Sequence, residues 1–115
     1  GCSSLTKVSL PIYVNYLRDY VFADCSNLQE VTLNEGVTNI NQKAFSNCPK
    51  LTKIEATYSL STIDSTAFDG SKNIKIYAPY GSYALTFAEE NKINKVQYFF
   101  PSSKFLPIQN SGKKL

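Results

Sequence analysis

Cys2, Cys25 and Cys48 stand at equal intervals of 23 residues, and they are the side chains most able to do chemistry. A thiolate is a nucleophile and a soft metal ligand, but either role needs help. The chain contains no His, so it lacks the commonest activating base and the commonest metal partner. Three cysteines also make neither an even disulfide set nor a zinc quartet. The carboxylates Asp19, Glu30, Glu35, Glu55, Asp64, Asp69, Glu89 and Glu90 form no motif, and solvation is the default role of such scattered charges. Five scattered glycines do not make a phosphate-cradling loop or a calcium-binding nonapeptide array. The expectation is a protein without catalytic residues, cofactor or metal.

The interval itself carries more information than the thiols. CSSLTKVSL at 2–10, CSNLQEVTL at 25–33 and CPKLTKIEA at 48–56 repeat one pattern, and SKNIKIY at 71–77 starts a fourth copy with Ser71 in the Cys position. The second halves keep step through Val14, Val37 and Leu60, then Leu17, Ile40 and Ile63, then Val21, Ala44 and Ala67, then Phe22, Phe45 and Phe68. A unit this short cannot bury its own apolar face, so neighbours must stack to complete a core. The L-x-x-V-x-L segment alternates as a short strand does, and like strands on successive coils would pair in parallel about 4.8 Å apart. The fold expected is therefore a β-rich solenoid, with coils at 2–24, 25–47 and 48–70 and a partial fourth at 71–78.

That register assigns several columns. Asp24, Asn47 and Gly70 share the position where the chain must turn, and these types best tolerate left-handed backbone, so positive φ is expected there. Cys2, Cys25 and Cys48, with Leu5, Leu28, Leu51, Phe22, Phe45 and Phe68, form the expected core ladder; Val14, Leu17 and Val21 join it. Parallel side chains on stacked coils rarely reach disulfide geometry, so free buried thiols are expected. Gly1-Cys2 resembles the end of a lipobox, yet the register already accounts for Cys2. Tyr13, Tyr16 and Tyr20 fall in columns that are polar elsewhere and should face outward as a contact candidate. The alternative is that they cover the first coil or pack on residues upstream. The strand face supplies a second candidate surface: Lys7, Glu30 and Lys53 as an alternating-charge ladder, beside Thr32 and Glu55.

Composition narrows the partners. A net charge of +3 from twelve basic and nine acidic residues, with no basic block, gives no footprint for nucleic acid. No apolar run approaches the roughly 20 residues of a membrane span, so the chain as given reads as soluble. It starts at Gly1 and has no Met, so a missing signal peptide says nothing about compartment. An uncovered first coil would expose strand edges, which makes end-to-end self-association an expectation.

CSNLQEVTLNEGVTNINQKAFSNC resembles the leucine-rich repeats of BspA-like bacterial and protozoan surface proteins, with A-F-x-x-C as its most specific element. The resemblance covers about residues 2–78, and YVFADC departs from it by placing Val21 at the Ala position. IKIYAPYGSYALTFAEENKI is similar to the strand, turn and helix that close such arrays. The domain expected is thus a leucine-rich-repeat region over 1–78, a cap over 79–100 with a helix near 82–91 and a strand near 95–100, and an extended tail over 101–115. Ser82 is the expected N-cap, and Tyr83, Ala84, Phe87 and Ala88 give the helix an apolar side. The resemblance implies secreted or cell-surface placement and adhesion-type binding to a host or neighbouring-cell surface or matrix protein. An architectural spacer and a carbohydrate-binding module are the alternatives.

Overall fold

The computed structural model of the protein describes residues 2–98. The 23-residue units wind into a solenoid in which each full coil contributes one strand to each of two parallel sheets. The larger sheet joins β1 (Lys7–Ser9), β3 (Glu30–Thr32), β5 (Lys53–Glu55), β7 (Lys75–Pro79) and β8 (Asn94–Tyr98) in the order β1-β3-β5-β7-β8. The smaller joins β2 (Tyr16–Leu17), β4 (Asn39–Ile40) and β6 (Thr62–Ile63). Lys7, Glu30 and Lys53 are Cα partners on successive strands, as are Tyr16, Asn39 and Thr62. Lys53 then pairs with Lys75, one residue short of the repeat, because the last coil reads I-x-I where the others read L-x-x-V or L-x-x-I.

The core is the set of columns facing between the sheets. Leu28, Val31, Val37, Phe45, Cys48 and Leu51 are fully buried. Phe22, Phe45 and Phe68 stack along the solenoid with ring centroids 5.4 and 5.5 Å apart, and Phe87 continues the line at 6.3 Å in a tilted contact. The turns behave as the column of small polar residues requires: φ is +61° at Asp24, +54° at Asn47 and +80° at Gly70. A Cβ on Gly70 would fall on the Asn47 side-chain oxygen, so the third coil needs Gly for space as well as for conformation.

The helix α1 (Tyr83–Glu90) lies against β7 and β8 and buries Ala84, Leu85, Phe87 and Ala88. Tyr83 also reaches the exposed edge of the smaller sheet, where its hydroxyl accepts the Ile63 amide at 3.2 Å. Ser82 takes the N-cap backbone position, but its hydroxyl makes no cap bond and is buried without a hydrogen-bond partner among the described residues. The N-cap expectation therefore holds for the backbone only. The strand expected at 95–100 corresponds to β8, Asn94–Tyr98; Phe99, Phe100 and the tail 101–115, including Phe105, Leu106 and Ile108, lie outside the described residues.

Three expectations are corrected. Cys2 and Cys25 form a disulfide with Cα atoms 4.6 Å apart, and only Cys48 is a free, buried thiol. Adjacent coils bring these α-carbons into bridging range, and Cys2 is half-buried rather than fully enclosed in the core. Cys48 is held differently: its Sγ donates to Phe22 O at 3.1 Å, and its amide donates to Ser71 Oγ at 2.8 Å. Val21 is 44% exposed, whereas Ala44 and Ala67 in its column are fully buried; among the described residues no further coil packs on the outer side of the first. Finally, the Lys7, Glu30 and Lys53 column is in register but its members make no ion pair with one another, unlike Lys95 with Glu89. Lys53 instead places its ammonium 4.7 Å from the centroid of the Tyr77 ring.

Candidate functional site

The first coil carries the two most exposed large apolar side chains of the described residues and five of the eight that are exposed. Ile12 is 85% and Tyr13 79% exposed, while Tyr16, Tyr20 and Val21 are about half exposed. Their outward orientation follows from local structure. Tyr16 sits on β2 opposite Asn39, and the inward partner Leu17 is buried against Ile40. The turn bearing Ile12 and Tyr13 closes with the Val14 amide donating to Pro11 O at 3.1 Å. Asn34 on the next coil then ties that turn down, its amide donating to Pro11 O and to Val14 O while its Oδ1 accepts from the Gly36 amide. Beside it, Tyr13, Val14, Asn15, Tyr16 and Arg18 line a cavity of about 280 Å³.

Tyr20 has an unexpected backbone. Its φ is +62°, and Lys43 in the same column has +53°. An L-residue bearing a bulky side chain gives up roughly 1–2 kcal/mol in this conformation. No residue type signalled that second left-handed column, because neither Tyr nor Lys favours it. Two inter-coil bonds hold the turn, from the Tyr20 amide to Gln42 O at 3.0 Å and from the Gln42 amide to Asp19 Oδ1 at 3.2 Å.

The strand-face candidates lie elsewhere, on the larger sheet. Lys7, Glu30 and Lys53 make one outward row, and Thr32 and Glu55 lie in the next, which continues to Tyr77. Sequence reasoning missed Tyr77 and Tyr98, the two rings that organise the far end of this face. They lie 6.4 Å apart, and the Tyr98 hydroxyl donates to Glu55 Oε2 at 2.8 Å, spanning β7. Burial, and then the hydrogen bond and charge of Glu55, push the Tyr98 phenol well above its ordinary value. The folded protein thus retains a proton that an unfolded tyrosine releases near pH 10. Stability from this clamp is complete below about pH 10 and declines above it. Thermal melts between pH 8 and 11 should show a smaller alkaline loss for Tyr98→Phe than for the parent; equal losses would remove the clamp from the account. At neutral pH the same substitution is expected to cost about 1 kcal/mol, the net worth of one hydrogen bond.

Candidate catalytic groups are not brought together. Burial raises the Cys48 thiol, outweighing the Cys25 amide and Ser71 hydroxyl that favour the thiolate. Among the described residues no three His, Cys, Asp or Glu side chains could share a metal ion, and no helix is long and apolar enough to cross a membrane.

The model of the BspA-type leucine-rich repeat region matches residues 1–103 in six copies. The chain belongs to this family. Among solved structures, the BspA-type chain is similar to a leucine-rich cell surface protein from Faecalibacterium prausnitzii, with 20% identity and a TM-score of 0.50. That similarity covers 82% of this chain but 32% of the other, so the chain spans about a third of that protein. At this identity it is the fold alone that the two share. None of the curated proteins matches the chain.

Proposed function

We propose that this BspA-type solenoid is a secreted or cell-surface module that binds a surface or matrix protein of a host or neighbouring cell, without catalysis of its own. The observation that carries the reading is the exposed aromatic face of the first coil, where Tyr13 and Tyr16 line a notch containing Arg18 beside a pinned turn and Tyr20 is exposed on the same coil. Tyr and Arg are the residue types enriched where binding energy concentrates. Tyr20 adds a second support, since it keeps a large side chain in a backbone conformation that would favour Gly or Asn.

The test is binding of the full chain to a panel of purified matrix and cell-surface proteins, beside a Tyr13→Ser, Tyr16→Ser, Tyr20→Ser variant. Binding that falls at least tenfold in the variant supports the reading. Tyr20→Gly keeps the comparison independent of folding, because Gly relieves the left-handed turn while deleting the ring. Equal binding by parent and variants would place the contact elsewhere. No binding by the parent would favour the architectural spacer.

A further inference from the structure

A second cavity, of about 380 Å³, opens where the third coil meets the cap, at the opposite end of the solenoid from the tyrosine face. This is within the range of small-ligand sites. Its floor is apolar, made by Phe68, Ile74 and Phe87. Its rim is polar and includes Lys72, Lys92, Asp69 and Asn94. Neither rim ammonium has an ion-pair partner among the described residues. Asn91, also on the rim, spends its Nδ2 on Phe87 O at 2.9 Å and leaves its Oδ1 as an acceptor.

Lys92 stands just beyond the helix end, at a φ of +58°. Gly is the usual occupant of such a position, because it adopts that conformation without a Cβ penalty. A lysine there is a conformational cost that brings a cation to the rim.

We infer that this cavity is a binding site for an acidic sugar, a uronic acid unit whose carboxylate pairs with Lys72 and Lys92. The rim mixes cationic and amide donors with the Asp69 and Asn91 acceptors, which suits hydroxyl groups that both donate and accept. Two ammonium groups on separate segments suit a charge-assisted contact to a carboxylate.

The experiment is a titration of the ¹⁵N-labelled full chain with glucuronic acid, glucose and acetate, followed by amide shifts. Glucuronic acid is expected to move amides of 65–74 and 91–94 with a dissociation constant on the order of 1 mM, and glucose and acetate to bind at least tenfold more weakly. Lys72→Ser with Lys92→Gly should reduce glucuronic acid binding at least tenfold, and the Gly substitution suits the existing backbone. The Tyr13→Ser, Tyr16→Ser, Tyr20→Ser variant should bind it unchanged, which separates this site from the proposed protein-binding face. Absence of shifts in these segments, equal response to acetate, or undiminished binding by the lysine variant would each overturn the inference.

Discussion

Phe45→Ala is expected to lower the free energy of unfolding by about 3–5 kcal/mol, the usual cost of truncating a buried aromatic residue. Phe45 is completely buried and is the middle ring of the stack, touching Phe22 on one side and Phe68 on the other. Its removal leaves a cavity between two coils that are fixed at the strand spacing by their ladders, so the gap has little room to close. A domain whose total stability is about 5–15 kcal/mol has little left after that loss. Urea unfolding of both proteins checks the value. Phe22→Ala is the internal control: its ring is only half-buried, and it should cost clearly less. Equal losses at the two positions would show that the stack does not carry the load assigned to it.

Removing the Cys2–Cys25 bridge is the second large perturbation, and its effect should be local. Closing a 23-residue loop contributes about 3 kcal/mol by restricting the unfolded chain. In a solenoid each coil touches only its neighbours, so the loss falls on the first coil. The Leu10, Tyr20, Phe22 and Gln29 amides all bond across the boundary between the first two coils. In the Cys2→Ala, Cys25→Ala variant these amides should exchange with deuterium about 100-fold faster, the kinetic counterpart of 3 kcal/mol. The Phe45 and Asn47 amides, which bond to the third coil, should change much less. Uniform acceleration across all coils would mean that the solenoid unfolds as one cooperative unit.

The period made the coils, the larger sheet, the Phe ladder and the left-handed column at Asp24, Asn47 and Gly70 readable from sequence, because each depends on which residues share a column. What escaped depends on relations a column does not encode. The smaller sheet rests on two-residue strands such as Asn39–Ile40, too short to show an alternation. Val21 and Cys2 were misplaced because a column predicts burial only where a neighbouring coil covers it. The Tyr98 to Glu55 clamp joins the cap to the third coil outside the repeat, so no internal comparison pointed to it. Lys53 could be matched to Glu30 by register, but a cation chooses among all nearby acceptors, and this one lies over the Tyr77 ring. The outward tyrosines were legible as exposed; the Asn34 tether that positions their turn was not.

The bonds between coils also govern how the molecule can change length over evolutionary time. Thr52 bonds to Gln29, Thr57 to Asn34, Ser61 to Thr38 and Lys50 to Asn27, each reaching the equivalent position one coil back. Duplicating or deleting one whole unit inside the array therefore returns each of the hydroxyl donors to a backbone carbonyl, whereas the Lys50 contact needs Asn in its column. A change of any other size must be absorbed in a turn to keep later core residues inward, as the 22-residue step from Ile54 to Ile76 is. Genetic recombination between units can thus move the tyrosine face and the cap apart in steps of one strand spacing.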